Sequence, residues 1–144
     1  FGHGYTYTGH PVACAAALKT LEIYEKENLF PHAAQVGEYM HLQLQKFADH
    51  DLVGEIRGKG LIAAVEFVAN KKTGESFTDG SVGAFAKNAC QENGLLIRAV
   101  AGNSIAFCPP LIITEEQIDK MLNQFSLSLD ATLEYANKEG LLSN

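Results

Sequence analysis

Residues 52–68, LVGEIRGKGLIAAVEFV, limit the fold more than any other stretch of the 144-residue chain. Two short runs rich in apolar and β-branched residues are split by Arg57-Gly58-Lys59-Gly60, a turn sequence. Such a pattern predicts two strands joined by an exposed turn. A lone hairpin is marginal in water, so the flanking segments have to cover one of its faces. They are suited to it. Val12 to Glu27 are strong helix formers opening at Pro11, with Ala16, Leu18, Leu21 and Ile23 as apolar faces. The Ala-rich beginning predicts close packing against another element. A second amphipathic helix is expected from about Ala33 to Asp49, with Val36, Met40, Leu44 and Phe47 at helical spacing.

Beyond the polar loop Asn70 to Gly80, Val82 to Asn93 predicts a helix ended by Gly94. Leu95 to Val100 and Ser104 to Phe107 are expected as strands around Ala101-Gly102-Asn103, and Cys108-Pro109-Pro110 stops the second. Thr114-Glu115-Glu116-Gln117 is a capping box. It opens a helix with Ile118, Met121, Leu122, Phe125 and Leu129 on one face, running to about Lys138 with Gly140 beyond its end. The order predicts an α+β fold, helices packed on a small, largely antiparallel sheet.

Several classes drop out on composition. Net charge is −6 and only two of eleven basic residues are Arg, so no basic patch follows a nucleic-acid backbone. No apolar run approaches the roughly 20 residues that cross a bilayer. Cys14, Cys90 and Cys108 are odd in number and widely spaced, which suits free thiols and a cytoplasmic location. His3 and His10 have no third ligand at useful spacing, so no metal site is expected. The chain begins Phe-Gly-His-Gly without a leader pattern, and a cut inside a longer chain is the expectation.

Two motifs are candidates for chemistry, the opening loop and Arg98. Gly-rich FGHGYTYTGH, with Thr6 and Thr8, precedes a helix N-terminus, where free amides and the helix dipole favour an anion such as a phosphate monoester. Thr6 and Thr8 capping a turn is the alternative. Arg98 ends an apolar strand with a planar fork suited to a carboxylate; a structural ion pair would equally explain it. Arg57, in the hairpin turn, reads as structural. Gly58-Lys59-Gly60-Leu61-Ile62-Ala63 matches a dinucleotide-loop spacing, but a strand rather than a helix follows it, so the match carries no function.

The stretches HGYTYTGHPVACAAAL, LVGEIRGKGLIAAVEFV, NGLLIRA and FCPPLIITEEQID together resemble class III aminotransferases, particularly the ω-amino acid and diamine:pyruvate branch. The resemblance implies the C-terminal small domain of the type I pyridoxal-phosphate fold: residues 1–10 a cofactor-phosphate loop, 11–30 a connecting helix from a large domain, and 31–144 the small domain. It implies that Thr6, helped by the amide of Tyr5 beside it, binds the phosphate of pyridoxal 5'-phosphate in the neighbouring subunit of a homodimer. Arg98 corresponds to the carboxylate-binding arginine of the pyruvate-dependent branch. Ornithine- and γ-aminobutyrate-type members carry an arginine where Ala106 stands, which favours pyruvate over those substrates. No lysine here, Lys19, Lys59 and Lys87 included, stands in the context of the Schiff-base lysine. The chain is therefore expected to be an inactive portion of an enzyme moving an amino group from an amine to a 2-oxo acid. Two rivals are a non-catalytic module for a phosphorylated ligand and a purely structural dimerisation domain.

Overall fold

A computed structural model describes residues 2–143; Phe1 and Asn144, the outer bounds of the expected first and last segments, lie outside the described residues. Helices α1 (Pro11–Lys26) and α2 (Leu29–Leu44) come first, then strands β1 (Val53–Lys59) and β2 (Ile62–Phe67). Helix α3 (Ser81–Glu92), strands β3 (Arg98–Val100) and β4 (Ser104–Phe107), and helix α4 (Glu115–Lys138) complete the order. The strands form one antiparallel sheet in the order β1-β2-β4-β3. The class is α+β, as the patterning predicted.

Alternation on β2 divides the sheet into two faces. Ala63, Val65 and Phe67 are buried, with Ile105 and Phe107 of β4 beside them, while Ile62, Ala64 and Glu66 point the other way. Helices α2 and α4 close the inner face with Val36, Met40, Leu44, Ile118, Leu122, Phe125 and Leu129. Phe125 is the hub. Its ring meets Phe47 at 5.3 Å and Phe107 at 5.0 Å between centroids, both edge to face. Gly37 of α2 lets the β1–β2 turn approach, since a Cβ there would lie 2.6 Å from the Gly60 carbonyl carbon. The His41 Nε2 contact with Gly60 O at 3.1 Å fixes the same junction.

The start of α4 and the far ends of α3 and α4 follow the sequence signals closely. Thr114 Oγ1 accepts the Gln117 N–H and the Gln117 side chain accepts the Thr114 N–H, closing the capping box. Gly94 (φ 80°) and Gly140 (φ 66°) sit one residue past the C-caps of α3 and α4, Asn93 and Glu139. The amides of Leu95 and Leu141 reach back to Cys90 O and Ala136 O, the six-to-one bond of a Schellman end.

Four expectations are corrected. Helix α2 starts at Leu29, not Ala33, because Pro31 falls in its first turn, where a missing N–H costs nothing. Its far end tightens into a 3-10 turn over Gln45–Phe47 before Asp49. Residues 11–30 are therefore α1 plus the first two residues of α2, with left-handed Asn28 (φ 53°) between them. Of Leu95 to Val100 only Arg98–Val100 pairs, since extending the register would set Leu95 against Pro109, which has no N–H to share. Finally, α1 buries no residue: Val12, Leu18, Leu21 and Ile23 are 73, 64, 54 and 39% exposed. The predicted close packing of its Ala-rich start has no partner among the described residues.

Candidate active site

The opening loop is exposed throughout residues 2–10, and the hydrogen bonds of residues 4–10 are all local. Thr8 N–H donates to Tyr5 O at 2.9 Å, and Tyr5 N–H donates to Thr8 Oγ1 at 2.6 Å, so these two residues clasp one turn. Gly9 (φ 77°) and the His10 N–H to Tyr7 O bond at 3.2 Å then lead the chain into Pro11. The turn-capping alternative thus holds for Thr8 and not for Thr6. Thr6 Oγ1 and the N–H groups of Thr6 and Tyr7 have no hydrogen-bond partner among the described residues. The Tyr5 amide, expected to assist Thr6, is already engaged. The turn itself uses the Tyr5 amide and leaves those of Thr6 and Tyr7. Helix α1 adds an N-terminus without a side-chain cap. A hydroxyl, two unengaged amides and an uncapped helix start make a donor set that fits a phosphate.

Arg98 stands at the other candidate position. It is the first residue of β3, not the last as the sequence suggested, and it is exposed on an edge strand. Its guanidinium forms no hydrogen bond or ion pair among the described residues. The structural ion-pair alternative for Arg98 finds no acid among the described residues. Across the sheet, Arg98 is in register with Ala106, Ala106 with Ala64, and Ala64 with Arg57. Opposed residues share a face, so one row on the outer face runs Arg57, Ala64, Ala106, Arg98. The two positions contrasted in the sequence, Arg98 and Ala106, are direct cross-strand neighbours.

The two arginines of that row differ in state. Arg57 lies inside β1, not in the turn, because the chain reverses at Gly60-Leu61. It contacts Glu66 Oε2 at 2.5 Å and Glu55 Oε2 at 2.8 Å. The Glu66 hydrogen bond, foremost, raises the guanidinium above its ordinary range. Its structural reading stands, and Gly58 to Ala63 lie at the β1–β2 turn, with strand β2 rather than a helix directly after it.

Sequence reasoning missed the device that holds the β3–β4 turn. Asn103 is buried; its Nδ2 donates to Asp79 O at 2.6 Å and its Oδ1 accepts the Gly83 N–H at 2.8 Å. It thereby serves an orphan donor of α3, whose own N-cap Gly80 has no side chain to do so. Asp79 accepts the Ser81 N–H and its carboxyl is held below the usual range by hydrogen bonds from Ser81. Ala101 enters the turn at φ 46°. Lys71, likewise unforeseen, donates to the carbonyls of Ala48, His50 and Val53 at 2.5, 3.1 and 2.7 Å. Among the described residues no group of three His, Cys, Asp or Glu is placed for a metal ion, and no helix is long and apolar enough to cross a membrane.

Residues 1–129 match the family model described as aminotransferase class III. The chain belongs to the class III aminotransferases. It is 45% identical over 133 residues to a putrescine–pyruvate aminotransferase of Pseudomonas aeruginosa, covering 92% of this chain and 29% of that protein. Against the mitochondrial γ-aminobutyrate transaminase 1 of Solanum lycopersicum the identity is 41%, over 92% of this chain and 26% of the relative. The ω-transaminase of Pseudomonas jessenii in complex with PMP superimposes with a TM-score of 0.87 at 45% identity, covering 94% of this chain and 30% of that one. The chain thus spans under a third of these relatives' length. Class III aminotransferases depend on pyridoxal phosphate, and the present fold is part of their architecture.

Proposed function

We propose that this chain is the small-domain portion of a pyridoxal-phosphate-dependent transaminase that passes an amino group from an amine or ω-amino acid to a 2-oxo acid, pyruvate in particular. The observation that carries the reading is Arg98: an exposed guanidinium on the outer sheet face with no acid partner among the described residues, beside an alanine. A planar fork left unpaired at a strand edge is suited to a substrate carboxylate in two parallel hydrogen bonds. The unspent donors of Thr6 and Tyr7 support the second part of the reading, that residues 1–10 hold a cofactor phosphate. Residues 4–10 make only local hydrogen bonds and residues 2–10 lie exposed, as fits a role in a neighbouring subunit's site. The working enzyme is then a homodimer with shared sites, placed in the cytoplasm, and α1 is the connecting helix whose uncovered residues meet a large domain.

Bound pyridoxal phosphate supplies the electron sink for the amino transfer. What this chain adds is binding and orientation: Thr6 anchors the phosphate end, and Arg98 fixes the acceptor by its carboxylate. The Schiff-base lysine belongs to the large domain, so the 144 residues alone are inactive. Steady-state kinetics of the full-length protein test the reading. Arg98→Ala is expected to raise the KM for pyruvate roughly ten- to a hundredfold, from about 1.5–3 kcal/mol for a charge-assisted pair, and to change the KM of an aromatic amine donor little. Equal effects on both substrates would remove Arg98 from the role.

A further inference from the structure

Lys71 performs a task that no sequence motif announces. Its Nζ donates to Ala48 O, His50 O and Val53 O at 2.5, 3.1 and 2.7 Å, so the three donors of the ammonium meet three main-chain carbonyls. These carbonyls lie on the connection between α2 and β1. Ala48 is the C-cap of the 3-10 turn that ends α2, where a helix presents the negative end of its dipole. Leu52 and Val53 are 0 and 1% exposed, and His50 Nδ1 accepts the Leu52 N–H at 3.2 Å. The connection is thus wrapped around the ammonium on one side and rooted in the core on the other. Lys71 reaches it from a fixed base. Asn70 Oδ1 accepts the amides of Lys72 and Thr73, and Asn70 Nδ2 donates to Ser143 O.

Neutral carbonyls converging on one point replace the hydration shell of a large monovalent cation. Hard divalent ions take carboxylates or keep their waters, and magnesium needs oxygens at about 2.0–2.1 Å. None of the three oxygens here is a carboxylate, and all stand farther than that from the charge they surround. We propose that Ala48 O, His50 O and Val53 O form a monovalent-cation site whose resident ion is the chain's own Lys71 ammonium, and which takes free potassium or ammonium ion once that group is withdrawn. Tethering presents the charge without the translational freedom that a free ion has to give up. The built-in cation therefore makes the α2–β1 connection indifferent to the salt around it. Lys71 is an exposed residue, so solvent ions reach the site from the side its stem occupies. The site goes beyond the transaminase reading and does not depend on it, since it shares no atom with the opening loop or with Arg98.

Amide hydrogen exchange of residues 48–53, read by mass spectrometry on the full-length holoenzyme, tests the site in choline chloride, KCl and NH4Cl at equal ionic strength. The unmodified enzyme is expected to exchange these amides alike in all three salts. Lys71→Ala is expected to exchange them at least about tenfold faster in choline chloride, with KCl or NH4Cl restoring protection in a saturable way. Lys71→Met lays an uncharged chain along the path of the lysine stem. It is expected to exchange as fast as Lys71→Ala in choline chloride and to recover nothing in the other two salts. Native-like protection in Lys71→Met would reduce the contact to packing and overturn the proposal. So would a Lys71→Ala variant that keeps its protection in choline chloride, that recovers none in KCl and NH4Cl, or that folds in none of the three salts.

Discussion

Asn103→Ala probes how the β3–β4 hairpin, and Arg98 with it, is held to the body of the domain. The side chain makes two hydrogen bonds, to Asp79 O and from the Gly83 N–H, and its residue is only 9% exposed. Each bond contributes about 1 kcal/mol net. Truncation also strands the buried Gly83 N–H, in the first turn of α3, at a desolvation cost of about 1–3 kcal/mol that overlaps with the lost bond. The expected destabilisation is therefore about 2–4 kcal/mol. With unfolding entropy scaling at about 2.1 cal/mol/K per residue, this lowers Tm by roughly 6–13 °C. Urea unfolding followed by far-UV circular dichroism measures it directly, with Asn88→Ala on the exposed side of α3 as the reference. The reference should stay within about 0.5 kcal/mol of the unmodified chain. An Asn103→Ala variant as stable as the reference would refute the claim that this side chain ties the hairpin to α3.

Two further outcomes follow from the core. Phe125→Ala removes the ring that meets both Phe47 and Phe107 and should cost about 3–5 kcal/mol in the same urea assay. Cys14 and Cys108 are exposed and should react promptly with an aromatic disulfide at pH 8, while buried Cys90 should react only on unfolding. Burial raises the Cys90 thiol above its ordinary value, outweighing its Ser128 hydrogen bond. The neutral thiol's contribution is complete below the unfolded-state pKa and shrinks as pH rises through and beyond it. Cys90→Ala should therefore flatten the loss of stability in the alkaline range, measured from pH 7 to 10.

The sequence carried most of the fold because its signals were local. The split apolar runs of 52–68, the Thr114 capping box and the glycines at 94 and 140 each act within a few residues, and each formed the element expected. Helix α2 was misjudged at both ends because Pro31 is harmless in a first turn and a breaker elsewhere, and the sequence alone does not say which turn it occupies. The site was less legible. Whether Arg98 had an acid partner depended on the sheet order, which placed Glu55 and Glu66 beside Arg57 and left the far edge to Arg98 alone. Asn103 and Lys71 bond to backbone groups about 20 residues away, and no spacing rule reports such pairs. The local bond of the Tyr5 amide was hidden for a related reason: the turn it closes is built by Thr8, three residues on.

Whether the exposed loop grips the phosphate end of the coenzyme is decided by equilibrium binding to the full-length protein. Thr6→Ala should weaken pyridoxal phosphate by at least about tenfold, from the loss of one hydrogen bond to a charged group, and leave phosphate-free pyridoxal unchanged. Unaltered affinity for pyridoxal phosphate, or an equal loss for both forms, would contradict it.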